Sequence, residues 1–259
     1  MLRSLGLLGI AENLRYLITV ARTYPANRSF QSQNPDFKVP PRALAYDAYS
    51  APDWDFYKKS GEETSAFLLT IARSHLPAGA TTRILEWGCG PARVIRHLPS
   101  AFGPGAEVFG SDYNAEAMQW CTDAVPGIHF TLNGLLPPLP FAPGFFDFIY
   151  SISVFTHLSE SAIHQWIDEL YRITHSGSIL AITTNGDSFT EKLLPDELET
   201  YKSRGFVVRG NVEEGKRAFS SCQSPPYLRE KFSARFEVAE FVPGKFPFTG
   251  QDMWVLRKP

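Results

Sequence analysis

The chain is poor in cysteine, in net charge of either sign and in long apolar runs. Three cysteines among 259 residues are too few and too scattered for a disulfide framework or a zinc site, so we expect a reduced, cytoplasmic protein. The net charge of −2 gives no electrostatic footprint for a nucleic-acid partner. No apolar run has the length needed to cross a bilayer, so no transmembrane segment is predicted. No group of His, Cys, Asp and Glu has metal-ligand spacing, and we predict no metal. What remains is a globular chain, 44% hydrophobic, that can bury a sizeable core.

Residues 1–45 are predicted to form an extension of the main domain. Glu12, Arg15 and Arg22 share one helical face while apolar residues occupy another, which predicts an amphipathic helix. Charges interrupt the apolar run and no small-residue cleavage site follows, which argues against a signal peptide. We expect this helix to pack on its own domain or to join two copies as a homodimer; a membrane-surface helix is the alternative. Residues 24–41, rich in Pro, Asn, Gln and Ser, predict an extended connector.

The segment before the central motif is unusually aromatic. Tyr49, Trp54 and Tyr57 lie close together in the sequence, and such aromatic clusters often plug the edge of a core. Ser60 and Glu63 form a capping box, which predicts that a helix begins at Ser60.

The central motif lies in residues 83–98. An apolar run ends in Glu86, Gly88 and Gly90 follow, and an amphipathic pattern begins at once, which predicts a buried strand, a tight turn and a helix. The glycines allow a sharp turn and the close approach of a ligand, and the helix N-terminus favours a polar or anionic group. A nicotinamide-binding turn needs Gly or Ala where this chain has Arg93. An ordinary strand-to-helix turn with two glycines is the remaining alternative.

A second motif follows the first after one predicted helix, and it ends in an acidic residue. Residues 107–112 predict a strand that ends in Asp112, and Asn114 can cap the helix that follows. The interval from Gly90 suits a βαβ unit. A carboxylate at this strand end can accept hydrogen bonds from both hydroxyls of a ribose. Alternatively, the aspartate serves only as a cap.

These two motifs resemble those of class I S-adenosylmethionine (SAM) dependent methyltransferases, in the small-molecule branch similar to the type 11 and type 12 domains. Ala92 stands where the third glycine of the first motif often lies. Residues 146–151, followed by Phe-Thr-His157-Leu, resemble the fourth motif. The resemblance covers residues 46–259 and implies SAM as the cofactor. The cofactor-binding residues that it implies are Glu86, Gly88, Cys89, Gly90, Asp112, Tyr113, Asn133, Gly134 and Ser151.

The resemblance also implies positions for the adenosine. Asp112 would bind the ribose, Tyr113 would lie against the adenine, and Asn133 would accept a hydrogen bond from the adenine amino group. The family usually has an acid where this chain has Asn133, but the amide keeps an acceptor oxygen.

The implied fold is a doubly wound, Rossmann-like α/β domain. It has a seven-stranded sheet, mostly parallel, that ends in a C-terminal antiparallel hairpin, and it carries the N-terminal helical extension. The hairpin is predicted at residues 236–242 and 253–257. A dehydrogenase would have a parallel sixth strand there. Residues 185–233 are longer than a simple crossover and are expected to form a substrate-side insertion, with Pro195 opening a helix.

The implied reaction is methyl transfer by in-line displacement to a small or medium-sized acceptor, a hydroxyl rather than an amine. His157 is the candidate general base, unless it bonds the backbone at the start of the following helix. The candidate substrate contacts are Tyr57, Arg217 and Tyr227. Two other functions stay open: a SAM-binding but catalytically idle partner subunit, and a nicotinamide-dependent oxidoreductase.

Overall fold

The computed structural model describes residues 8–77, 82–209, 214–215 and 218–259. Arg217, a candidate substrate contact, lies outside the described residues. Seven strands form the main sheet: β1 Thr82–Trp87, β2 Ala106–Asp112, β3 His129–Leu132, β4 Phe146–Ser151, β5 Thr174–Thr184, β8 Glu237–Val242 and β9 Asp252–Arg257. A separate antiparallel pair consists of β6 Phe206–Arg209 and β7 Ser220–Gln223.

The strand order of the main sheet is β3-β2-β1-β4-β5-β9-β8. The first five strands of this order are parallel, and β9 runs antiparallel to both β5 and β8. The predicted seven-stranded fold with a C-terminal antiparallel hairpin is confirmed. The chain direction across the sheet reverses between β1 and β4, and the carboxyl ends of strands beside such a switch point enclose a crevice.

Eight α-helices flank the sheet in the described part of the chain. They are α1 Leu8–Gln33, α2 Arg42–Tyr49, α3 Trp54–His75, α4 Leu98–Phe102, α5 Ala115–Ala124, α6 Glu160–Ile173, α7 Pro195–Arg204 and α8 Pro225–Ser233. Short 3-10 turns cover Ile95–His97, Phe155–His157 and Asp187–Lys192. Over the residues that the structure describes, no helix has both the length and the apolar character of a membrane span.

Both faces of the central strands are covered, as expected for parallel strands with continuous apolar runs. Successive strand residues point to opposite faces, so Ile84 joins one core cluster and Leu85 the other. The first cluster includes Leu68 of α3 and Cys121 of α5, and the second includes Trp166 of α6. The sheet is therefore held rigidly from two sides, which fixes the loops at its carboxyl edge.

The prediction of an extended connector over residues 24–41 is wrong for its first half. Helix α1 continues through Pro25 to Gln33. Asn27 is buried and binds both sides of one turn: its Nδ2 donates to the Pro52 carbonyl at 2.6 Å, and the Trp54 N–H donates to its Oδ1 at 2.9 Å. These tertiary contacts override the interior proline, which removes one helical hydrogen bond.

Two predicted helix boundaries are also wrong. Helix α3 begins at Trp54 instead of Ser60, because Asp53 caps it by accepting the Phe56 N–H at 3.0 Å. After the glycine turn, the chain forms a 3-10 turn and the five-residue α4 instead of a full helix. Ala92 has a positive φ of 55°, so an α-helix cannot start there.

Candidate functional site

A cleft opens at the carboxyl edge of β1, β2 and β4, at the switch point of the sheet. Seven residues that the sequence singled out line it: Gly88, Gly90, Asp112, Tyr113, Asn133, Gly134 and His157. They come from four different loops and meet only because the parallel strands end at the same edge. The placement follows the rule for ligands in open α/β sheets.

The glycine loop after β1 forms the floor of the cleft. Gly88 has a φ of 79°, and a Cβ atom there would lie 2.1 Å from Cγ2 of Val154. The N–H groups of Gly88 and Cys89 both donate to the Ser111 carbonyl, at 2.8 and 3.0 Å. Only a glycine satisfies both the left-handed conformation and the contact at position 88.

Asp112 links the second motif to this loop. Its Oδ2 accepts the Gly90 N–H and its Oδ1 accepts the Asn114 N–H, both at 2.8 Å. Burial raises the pKa of Asp112, the N–H groups of Asn114 and Gly90 lower it, and the charge of Asp47 raises it. Asp47 of α2 also lines the cleft. The described cleft lining holds these two carboxyl groups and no lysine or arginine, which favours a ligand that carries positive charge.

Tyr113 and Asn133 form the wall beyond Asp112. The Tyr113 ring is 41% exposed, and its hydroxyl donates to the Gly215 carbonyl at 2.6 Å. The Nδ2 atom of Asn133 donates to the Gly134 carbonyl at 2.6 Å. Its Oδ1 is buried and has no hydrogen-bond partner within the part of the chain that is described. A buried acceptor without a partner is unfavourable, so this atom suits a donor on a ligand.

His157 lies at the end of the 3-10 turn that follows β4. Its Nδ1 is 2.7 Å from the Phe219 carbonyl. A carbonyl only accepts, so Nδ1 carries the proton, and the neutral ring has its lone pair on Nε2. One alternative predicted that the ring bonds the backbone at the start of the following helix. The ring does bond the backbone, but at Phe219 and not at the start of α6.

Three predicted cofactor residues lie beneath the cleft and outside its lining. Glu86 is buried and accepts the Tyr150 hydroxyl at 2.7 Å. Burial raises the pKa of Glu86 to about 8, against the opposing effect of the Tyr150 hydrogen bond. Burial also raises the pKa of the Cys89 thiol. The Ser151 hydroxyl is buried without a hydrogen-bond partner among the described residues.

Two of the three predicted substrate contacts, Tyr57 and Tyr227, do not line the cleft. Tyr57 is fully buried; its hydroxyl donates to the Pro91 carbonyl at 2.7 Å and accepts from Arg96 at 3.1 Å. Tyr227 lies on α8, where its hydroxyl donates to Glu160 at 2.8 Å. The early start of α3 turns Tyr57 inward, since that helix buries Trp54 and Tyr57 on one face. Both tyrosines support the scaffold of the site.

Several residues of the cleft were not identified from the sequence. Asp47 lies on the short helix α2, and Ser153 follows β4 with a positive φ of 64°. Trp87 and Trp166 form an apolar wall, with ring centroids 4.4 Å apart. The position of Trp87 directly after Glu86 was an available signal, because the end of β1 was already placed at the cleft. Nothing in the local sequence brings α2 to this edge.

Residues 84–177 match the family model described as a methyltransferase domain. Malonyl-[acyl-carrier protein] O-methyltransferase from Enterobacter lignolyticus is 28% identical over 111 residues, which are 43% of this chain. The match spans about two fifths of the length of that curated relative, 42%.

Solved structures share the fold. A SAM-dependent methyltransferase from Methanosarcina mazei has 22% identity and a TM-score of 0.58 over 73% of this chain and 96% of that one. The 1,6-didemethyltoxoflavin-N1-methyltransferase of Burkholderia thailandensis was solved with 1,6-didemethyltoxoflavin and S-adenosylhomocysteine. It has 14% identity and a TM-score of 0.53 over 76% of this chain and 79% of that one. Residues 84–177 are thus similar to a methyltransferase domain, and the chain shares its fold with these methyltransferase structures.

Proposed function

We propose that the protein transfers a methyl group from SAM to a small or medium-sized acceptor. The observation that carries this proposal is the meeting of the glycine loop, the Asp112 carboxylate and the unpartnered Oδ1 of Asn133 at one cleft. SAM offers a ribose diol, an adenine amino group and two positive charges. Each of these has a complementary group among the residues that line the cleft.

The ribose is assigned to Asp112, which keeps lone pairs on both oxygens beyond the two N–H groups that it accepts. The adenine is assigned to the face of Tyr113, with its amino group donating to Asn133 and a ring nitrogen near the Gly134 N–H. Backbone atoms of residues 88–90 would border the methionine part. Asp47 faces the same cleft and is our candidate for the ammonium group.

Glu86 and Ser151 are assigned a supporting role under the cofactor. Both are buried at the carboxyl ends of central strands, and neither lines the cleft. Glu86 bonds Tyr150 of the neighbouring strand, so its side chain joins β1 to β4 directly below the glycine loop.

SAM, when bound, supplies the methyl group for an in-line displacement. The chain must align the acceptor, exclude water and remove a hydroxyl proton. We assign the last task to Nε2 of His157, because the Phe219 carbonyl fixes the proton on Nδ1. Nε2 of His157 would take up the hydroxyl proton of the acceptor and hold it after the transfer. The apolar wall of Trp87, Leu158 and Trp166 would limit access of water.

A hydroxyl acceptor is favoured over an amine because a positioned base lines the cleft. The curated relative is named as an O-methyltransferase, which agrees with oxygen as the acceptor atom, whereas the Burkholderia thailandensis enzyme is named as an N1-methyltransferase. An amine is therefore the second acceptor to test.

We further propose that two copies pair through α1. Leu14, Leu17 and Ile18 are each at least half exposed on the side of α1 that faces away from the domain. The opposite side is already covered, since the Tyr16 ring contacts the Tyr46 ring with centroids 5.1 Å apart. Light scattering should give a dimer mass that Leu17→Lys reduces to a monomer mass. A monomeric wild type would contradict this part of the proposal.

A reducing, cytoplasmic compartment is proposed from the thiols. Cys89, Cys121 and Cys222 are all free and buried, so none is placed to form a structural disulfide at the surface.

Calorimetric titration with SAM, S-adenosylhomocysteine and NAD tests the proposed function. We expect micromolar binding of the two sulfur compounds, about −8 kcal/mol, no binding of NAD, and a loss of most affinity in Asp112→Ala. Binding of NAD alone would favour the oxidoreductase alternative. If SAM binds, methyl transfer to hydroxyl and amine acceptors is screened next, with His157→Ala as the control. Binding without transfer to any acceptor would favour the idle partner subunit.

A further inference from the structure

Ser153 lies in the wall of the cleft with a left-handed backbone. Its φ is 64°, a region in which residues with a side chain are strained. Such a conformation persists only where surrounding contacts over-determine it. Ser153 is preceded by Ile152 and followed by Val154, and all three line the cleft.

A buried polar network fixes Ser153 through Gln251. The Ser153 N–H donates to Oγ1 of Thr183 at 2.8 Å, and its hydroxyl donates to Oε1 of Gln251 at 2.9 Å. The Thr183 hydroxyl also donates to Oε1 of Gln251, at 2.8 Å. The side-chain amide of Gln251 donates in turn to Asn185 at 3.2 Å. Gln251, which directly precedes β9, thus accepts from the Ser153 hydroxyl and from the Thr183 hydroxyl. The Thr183 oxygen in turn accepts the Ser153 N–H.

The turn that begins at Ser153 positions both the glycine loop and His157. On one side, Val154 packs directly on Gly88 and so fixes the height of the glycine loop. On the other side, the Thr156 hydroxyl donates to the Ser153 carbonyl at 2.5 Å, and the His157 N–H donates to the Val154 carbonyl at 2.9 Å. A shift of Ser153 would therefore move the floor of the cofactor cleft and the candidate base together.

We infer that Gln251 is a positioning residue of the methyl-transfer site, which acts by holding Ser153 in its left-handed conformation. The inference rests on the proposed function of this cleft. Gln251 does not line the cleft itself, so it acts only through the turn. Its side chain is 5% exposed and receives two hydroxyl donors on a single oxygen, an arrangement that an apolar residue of equal size cannot provide.

The test compares Gln251→Met in two backgrounds, wild type and Ser153→Gly. Glycine adopts positive φ without strain, so Ser153→Gly should no longer need Gln251. We expect Gln251→Met to weaken S-adenosylhomocysteine binding about tenfold, the factor that corresponds to the energy of one left-handed residue. In the Ser153→Gly background the same substitution should change affinity by less than about twofold, because both the strain and the Ser153 hydroxyl that Gln251 accepts are absent. Calorimetry gives the affinities, and thermal unfolding reports the loss of stability separately.

Thr184→Val is the matched control. It removes a buried hydroxyl from the same strand, β5, and this hydroxyl accepts the Nε1–H of Trp254 at 3.1 Å. We expect it to lower stability while binding stays unchanged. If Gln251→Met does not fold, Thr183→Val takes its place, since it removes the acceptor of the Ser153 N–H.

The outcomes separate the two claims. An equal loss of affinity in both backgrounds would mean that Gln251 is merely structural and would overturn the inference. Wild-type binding together with an unaffected Gln251→Met variant would also overturn it and would leave the proposed function intact. A wild type that binds neither SAM nor S-adenosylhomocysteine would overturn the proposed function and the inference with it.

Discussion

Oδ2 of Asp112 accepts the backbone N–H of Gly90 at 2.8 Å, which joins the end of β2 to the glycine loop of β1. The other oxygen accepts the Asn114 N–H at the same distance. The two motifs that the sequence separates by a helix and a strand are thus a single hydrogen-bonded unit. Since each oxygen keeps a further lone pair, one carboxylate can order the loop and bind a ligand at once.

Asp112→Asn should therefore weaken SAM binding and loosen the loop together. The amide has one acceptor oxygen, so its NH₂ group must face one of the two backbone donors. Losing a hydrogen bond to a charged group costs about 1.5–3 kcal/mol, and we expect affinity to fall about 10- to 100-fold in calorimetry. Asp123→Asn is the control, because Asp123 is exposed on α5 and accepts a hydrogen bond from Gln119 at the surface. Unchanged binding in Asp112→Asn would mean that Asp112 does not bind the cofactor.

Gly88→Ala should destabilise the fold more than Gly127→Ala. Both glycines have a φ of 79°, so both substitutions introduce the same left-handed strain, about 1–2 kcal/mol. A Cβ at position 127 meets nothing within 4 Å in the described structure, whereas at position 88 it meets Val154 at 2.1 Å. Overpacking of this kind adds about 1–3 kcal/mol. Urea unfolding measures the difference, and Val154→Ala should restore most of it; equal losses at both positions would contradict the tight contact.

The sequence predicted the parts of the molecule that local chemistry determines. The run that ends in Glu86, the two glycines and Asp112 at the next strand end have spacings that few other arrangements satisfy. Because parallel strands share one carboxyl edge, those residues had to meet once the fold was correct. The C-terminal antiparallel hairpin could also be predicted from local sequence, as two apolar strands joined by a loop rich in Pro and Gly.

The parts that long-range packing determines could not be predicted. Asn27 extends α1 past Pro25 through contacts with residues 52 and 54, which no local pattern reveals. The capping box at Ser60 was a genuine local signal, but Asp53 offers a competing cap, and burial of Trp54 selects it. With α3 begun early, Tyr57 turns into the core instead of towards the cleft. Asp47 and Ser153 reached the site through the same long-range packing.

His157→Gln should impair catalysis without impairing cofactor binding. Glutamine can still donate a hydrogen bond towards the Phe219 carbonyl, so the insertion stays attached, but it cannot take up a proton at neutral pH. We expect kcat to fall at least about 100-fold with a hydroxyl acceptor, while SAM affinity changes by less than about twofold. His129→Gln is the control, because His129 is exposed on β3 and lies outside the cleft lining. Full activity in His157→Gln would leave this residue a purely structural role.

Glu86→Gln should change how stability depends on pH. The folded pKa of Glu86 is raised from an ordinary value of 4.5 to about 8 because burial disfavours its charge. The folded state therefore holds a proton that the unfolded state releases, and the free energy of unfolding must fall as pH rises from about 4.5 to about 8. Glutamine is neutral at every pH and its oxygen can still accept the Tyr150 hydroxyl. The variant should thus gain stability over the wild type at pH 8 and differ little at pH 5.

Urea unfolding midpoints at the two pH values measure this difference. Glu107→Gln on β2 is the control, since Glu107 is exposed and pairs with Arg83 at the surface. If Glu86→Gln instead loses more stability at pH 8 than at pH 5, the buried carboxyl is ionised in the folded protein. The favourable charge of Arg93, which lowers the pKa of Glu86, would then outweigh burial, and the floor of the cleft would carry a negative charge under the cofactor.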